Sequence, residues 1–248
     1  AKKRQWTDMN KMFNQAIEID PNAKVLGRPV TEITNNYRSM FWAENYNKAI
    51  RMYNESRRSQ DKSTLQSATD IFNETLAIDP GEAQTYSILA NCYYELGDKT
   101  NAVEYAKKAH ELMPNEFRSN YTLGQILALT GDKNNAITYI EKAVEISPTE
   151  QGAVKQLAGL YYETGLKEKS IETFELAIKQ ESDKSAKANL YFNLGVLHMQ
   201  SDNFQDAEDN FMTAYDLNPD DTEALMGIAQ TFENAEKWRR ASKFYREL

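Results

Sequence analysis

The chain has 248 residues, a formal net charge of −8, 41% hydrophobic and 27% charged residues, and only 6 prolines and 10 glycines. That composition suits a helical soluble protein and argues against a disordered chain. The acidic balance argues against a nucleic-acid partner, because phosphate binding needs clustered Lys and Arg. No apolar run reaches the roughly 20 residues of a membrane span. The single cysteine, Cys92, allows no internal disulfide and reads as a buried structural thiol. Localisation stays open between cytoplasm and periplasm, since a leader removed before the first residue leaves no trace.

Residues 1–21 read as one helix. Phe13, Ala16 and Pro21 hold the spacing that Phe72, Thr75 and Pro80 hold later, so this is the second helix of a pair whose first helix is missing. The early cations Lys2, Lys3 and Arg4 are expected on a solvated face. Gly27 and Pro29 mark a loop over 22–30. From Thr31 to Ser59, Ile33, Tyr37, Met40, Phe41, Ala49, Ile50 and Tyr53 recur at helical spacing, and the part from Trp42 to Tyr53 is dense in aromatics. The absence of Gly and Pro there favours one long helix over an extra, weak helix pair. Residues 60–63 turn into a helix over about 64–78.

A repeated pattern begins at Ala83. Tyr86-x₂-Leu89-Ala90-x₂-Tyr93 is followed by Gly97-Asp98, then Ala102-x₃-Ala106 and Pro114. Asn120-x₂-Leu123-Gly124-x₂-Leu127, Gly131-Asp132, Ala136-x₃-Ile140 and Pro148 restate it. Pro80, Pro114 and Pro148 are spaced by 34 residues, and so are Gly97, Gly131 and Gly165. Each copy reads as two antiparallel helices. The glycines follow the first helix, where the chain turns through a left-handed conformation. The prolines stop the second helix. Small residues at Ala90, Gly124, Ala158, Gly195 and Ala229 let a neighbouring helix come close. Later copies start near Gln151, Ala188 and Thr222. In them Ser182 replaces the terminal proline, and Asp202-Asn203 takes the turn that glycine holds elsewhere.

This pattern resembles the tetratricopeptide repeat, W-x₂-L-G-x₂-Y…A-x₃-F…P at a 34-residue period. The resemblance implies an all-α fold, a right-handed α-solenoid of stacked antiparallel helix pairs. It divides the chain into an atypical region over 1–82, a half repeat plus a long-helix repeat, and a regular array of about five units over 83–248, the last truncated. Phe13, Phe232 and Tyr245 belong to units without neighbours. Their apolar surface is expected to be partly exposed, and the open repeat ends to support self-association.

Catalytic chemistry finds little footing. His198 falls on the buried stripe of its helix and reads as a core residue. His110, late on a second helix, faces the negative end of the dipole. These two histidines and one cysteine give no zinc spacing. No Ser-His-Asp order, phosphate loop or H-E-x-x-H appears. No cofactor or metal is expected, and the chain is read as no enzyme.

The resemblance implies that first helices line a concave face that holds an extended peptide or a helix of a partner protein. On that stripe lie Gln84, Ser87, Asn91 and Tyr94, then Arg118, Tyr121, Gln125 and Ala128. Lys155, Gly159 and Tyr162 follow, then Asn189, Phe192, Val196 and Met199, and last Glu223, Met226, Gln230 and Glu233. Amides pair with an extended backbone, and aromatics supply anchor area at low entropic cost. The competing reading is that some of these aromatics only pack against the next repeat. One subset of the family clamps two carboxylates of chaperone tails. Lys155 and Asn193 match two clamp slots, but Gly159, Glu223 and Gly227 occupy the others, so no chaperone tail is expected. The function so implied is a non-catalytic protein-interaction scaffold or adaptor. The alternatives are a repeat region belonging to a larger enzyme or secretion or assembly machine, and a subunit that polymerises through its ends.

Overall fold

The computed structural model describes residues 2–219 and 222–247, with side chains from Gln5 onward. The expectation for Lys2, Lys3 and Arg4 therefore lies outside the described side chains. The chain forms two compact units, 1–132 and 133–248. The described residues hold thirteen α-helices and one two-stranded hairpin.

The first unit runs through α1 (Lys2–Ile19), β1 (Lys24–Val25), β2 (Arg28–Pro29), α2 (Val30–Ser59), α3 (Lys62–Ile78), α4 (Ala83–Leu96), α5 (Lys99–Leu112) and α6 (Phe117–Thr130). Helix α2 is the single long helix that the lack of Gly and Pro favoured. Its 30 residues span about 45 Å at 1.5 Å per residue. It ends where Gln60 turns left-handed at φ 55°. Helix α3 has 17 residues and covers only part of that length, so the start of α2 needs other cover. Helix α1 supplies it through a ladder of rings: Trp6 lies 5.3 Å from Phe41, and Phe13 lies 6.4 Å from Tyr37. A polar network completes the joint. The Asn10 amide donates to the carbonyls of Ala77 and Ile78 at 2.6 and 2.7 Å, satisfying groups that a helix end leaves without partners. Arg38 donates to Asn10 at 2.8 Å and to Asn14 at 2.6 Å.

The segment over 22–30 corrects the expectation of a loop without strand pairing. Lys24 pairs with Pro29 and Val25 with Arg28. Leu26 and Gly27 form the turn with φ of 52° and 82°, the two successive positive angles that close a two-residue hairpin without splaying its strands.

Within this unit α2 pairs with α3 and α4 with α5, and α3 packs on α4 and α5 on α6. Ala49, Tyr53, Leu65, Ala68, Phe72, Leu89 and Cys92 form one core cluster across α2, α3 and α4. Burial pushes the Cys92 thiol up to about 12, as an inert structural thiol requires. Gly97 and Gly131 carry φ of 92° and 101° at the ends of α4 and α6, so the periodic glycines are turn devices. Asp61 and Asp98 cap α3 and α5 by accepting from backbone N–H groups.

The second unit comprises α7 (Lys133–Ile146), α8 (Gln151–Glu163), α9 (Lys167–Gln180), α10 (Lys184–Gln200), α11 (Phe204–Leu217), α12 (Thr222–Asn234) and α13 (Trp238–Glu247). Gly165 and Asp202 take the left-handed turns at φ 82° and 59°, the roles expected of them. Ala158 and Ala229 are buried, and Ser170 donates to the Ala158 carbonyl at 2.7 Å across the α8–α9 crossing. His198 is the buried residue that its place in the stripe implied, with Nδ1 3.8 Å from an Asp206 carboxylate oxygen.

Phe232 departs from expectation. It is 1% exposed, because α13 closes over it. Phe244 stacks at 5.5 Å, and the Arg240 guanidinium lies 4.5 Å from the ring centroid. Phe13 stays half-buried and Tyr245 exposed, as their terminal places imply.

Candidate functional site

The residues named for the binding stripe lie on α4 and α6 in the first unit and on α8, α10 and α12 in the second. In the first unit Gln84, Asn91, Tyr94, Tyr121 and Gln125 are half-buried and Arg118 is exposed. Tyr121 stacks on Phe117 at 5.4 Å. Ser87 is 3% exposed, a side chain too short to reach past its neighbours, and it offers no surface. Two aromatics on α2 join this environment without having been named for it. Trp42 stacks on Tyr46 at 4.7 Å, and its indole N–H donates to Thr85 at 2.9 Å. The Arg118 charge acts on the Tyr46 phenol, although burial dominates and pushes that phenol up.

In the second unit the stripe behaves unevenly. Tyr162 is spent on packing. Its hydroxyl donates to the Gln200 carbonyl at 3.1 Å, and the Lys167 ammonium lies 5.5 Å from its ring centroid. Lys155 and Asn189 are exposed. Phe192, Met199, Met226 and Gln230 converge on one cleft between α10 and α12, joined there by Val196, Glu223, Thr222, Gly227 and Phe211. Its volume is about 280 Å³.

Two glycines make this cleft. Phe211 on α11 is fully buried and reaches between α10 and α12. A Cβ on Gly195 would stand 2.9 Å from the Phe211 ring, and a Cβ on Gly227 would stand 2.8 Å from it. Only hydrogen at both positions lets the ring reach the floor of the cleft, where Phe192 meets it at 5.4 Å. Met199 and Met226 form soft, adaptable walls. Met226 is 39% exposed.

Models described as tetratricopeptide repeat match residues 83–116, 117–150 and 188–221. The chain carries tetratricopeptide repeats. No curated protein matches its sequence. Among solved structures, the C-terminal part of a tetratricopeptide repeat-containing protein from Cytophaga hutchinsonii is similar with TM-score 0.65 and 18% identity, over 81% of this chain and 76% of that one. PilW, described as a widely conserved type IV pilus biogenesis factor, is similar with TM-score 0.63 and 16% identity, over 82% of this chain and 91% of that one. YrrB, described as a TPR protein with an unusual peptide-binding site, is similar with TM-score 0.53 and 20% identity, over 86% and 95%. At these identities the likeness shows the fold alone.

Two larger hollows lie along the second helices of the repeats. One, of about 460 Å³, includes Glu141, Glu145, Leu157 and Leu176, and there Glu141 already accepts the Tyr161 hydroxyl. The other, of about 530 Å³, includes Glu175, Lys179, His198 and Asp206. Both mix charges with apolar side chains, whereas the α10–α12 cleft is walled by phenylalanine, valine and methionine with polar groups only at its edge. Asn193, one of the two matching clamp residues, spends its amide on the Asn189 carbonyl at 2.7 Å. No group of three His, Cys, Asp or Glu among the described residues is arranged to hold a metal ion, and no helix among them is long and apolar enough to cross a membrane.

Proposed function

We propose that this chain is a protein-interaction scaffold that captures a peptide or a helix of a partner on the first-helix faces of its repeats. The α10–α12 cleft is the principal seat. The observation that carries this reading is the convergence of Phe192, Met199, Met226 and Gln230 on a single apolar cleft with polar edges, the composition of a site that fixes one anchoring side chain. Proteins built of these repeats are generally non-catalytic scaffolds, and the peptide-binding site described for YrrB supports the same class of ligand. On the first unit, Arg118, Tyr121 and Gln125 form a second, more polar contact surface, where Arg118 pairs with a ligand carboxylate or backbone carbonyls.

A photo-crosslinking residue in place of Gln230 should join to one partner protein in native extract, and the same residue in place of Lys142, on a second helix, should not. Phe192→Ala with Tyr121→Ala should abolish the crosslink while Lys107→Ala with Lys142→Ala leaves it. Equal crosslinking from both positions would contradict the proposal.

The second reading is a repeat region that serves a larger secretion or assembly machine. The likeness to PilW, described as a pilus biogenesis factor, favours it. It differs in what the partner belongs to and leaves the surface the same, so the identity of the crosslinked protein decides between them.

A further inference from the structure

The charge around the cleft is one-sided. Between Lys187 and Lys237 the sequence holds no lysine or arginine, yet it holds ten aspartates and glutamates. This interval contains all of α11 and α12 and most of α10. Of the acids, Glu223 lines the cleft itself. Glu233 on the same helix accepts the Tyr245 hydroxyl at 2.6 Å. Glu208 is paired with Arg240 of α13 at 3.8 Å, and Asp206 stands near His198. The cations of the binding stripe, Arg118 and Lys155, belong to α6 and α8. The stretch over 188–236, which bears the cleft, therefore carries only negative formal charges, and a field of this kind extends about a Debye length, roughly 8 Å at physiological salt.

Resting on the peptide-capture reading, the geometry points to the chemistry of the partner: a segment that seats one long aliphatic or aromatic side chain in the α10–α12 cleft and carries Lys or Arg within a turn of it, facing Glu223. The Phe211 floor and the methionine walls select an apolar anchor by size and adaptability and leave its identity loose. The surrounding acids select against Asp and Glu beside it, since like charges at a docking surface are rejected more strongly than opposite charges are rewarded. The rim contact makes capture weaken with salt, and the anchor contact does not.

The test is selection of a random 12-residue peptide display library against the whole chain. The peptides recovered should share an aromatic or long aliphatic residue with Lys or Arg within about four positions. A synthetic peptide of the recovered sequence, followed by fluorescence anisotropy, should lose about tenfold in affinity with Glu223→Lys and again about tenfold with Met226→Ala. Met226 is exposed, so its replacement leaves the fold intact, which far-UV circular dichroism checks. If the recovered peptides are neutral or acidic and still depend on Met226, the charge inference fails while the capture surface stands. Peptides that ignore both Met226→Ala and Phe192→Ala, or a selection with no enrichment, would overturn the capture surface as well. Self-association of the chain that Met226→Ala abolishes would assign the cleft to the basic α13 of a second copy and overturn a separate partner.

Discussion

The two glycines beneath the cleft allow a prediction of sign as well as size. Replacing a helix-interior glycine by alanine ordinarily stabilises by about 0.5–1 kcal/mol, because alanine has less backbone freedom to lose. Gly159 of α8 should behave this way, since an added Cβ there meets nothing within 4 Å. At Gly195 the Cβ would stand 2.9 Å from two carbons of the Phe211 ring, against the ~3.5–4.0 Å of a relaxed carbon contact. The ring is fully buried and must move. Overpacking of this kind costs about 1–3 kcal/mol, so Gly195→Ala should be a net loss of about 1 kcal/mol. The ring already fills the space that a side chain at Gly227 would take, since a Cβ there would stand 2.8 Å from it. Gly227→Ala should therefore cost a similar amount, and the double variant, which closes on the ring from both sides, should lose more than the sum of the two singles. Urea unfolding followed by far-UV circular dichroism measures all four proteins. Gly195→Ala stabilising the chain as Gly159→Ala does would refute the account of the cleft floor.

Two further outcomes follow from the buried and capping groups. Cys92, buried and raised to about 12, should react with a thiol reagent only as fast as α4 opens, so its labelling rate in native buffer should fall far below that in urea. Asp98 and Asp61 are held below the ordinary 3.8 by the hydrogen bonds they accept at helix starts. Their caps therefore stabilise fully above pH 3.8 and lose that contribution as pH falls through the lowered folded values. Asn caps without titrating, so Asp98→Asn with Asp61→Asn should keep stability at neutral pH and flatten its decline in acid.

The helical architecture was legible because the signals that encode it are local. A proline that stops a helix and a glycine that takes φ near 90° act within a few residues, and their 34-residue spacing survives in the sequence. The length of α2 was legible for the same reason, since nothing between Val30 and Ser59 breaks a helix. The hairpin was less so. Its strands have two residues each, and Leu26 is an unusual residue for a positive φ. Phe232 was expected to be partly exposed because its unit has no following neighbour. Its burial depends on Arg240 and Phe244 folding back, a contact that periodicity does not report. In the proposed binding stripe, the partners of each side chain decide which are available. Tyr162 is occupied by Gln200 and Lys167, Ser87 is buried, and Trp42 and Tyr46 arrive from α2 outside the regular period. Phe211 is a core residue that also floors the cleft, a role created by the coincidence of Gly195 and Gly227 on two different helices.

The cleft between α10 and α12 is the centre of the functional account, and methionine methyl NMR addresses it residue by residue. The chain has 8 methionines. Met199 and Met226 line the cleft, whereas Met212 on α11 and Met113 after α5 are exposed elsewhere. Titration with the partner segment identified by crosslinking should shift the Met199 and Met226 methyl signals and leave those of Met212 and Met113 in place. Shifts at Met212 or Met113 with Met199 and Met226 unmoved would contradict capture in this cleft.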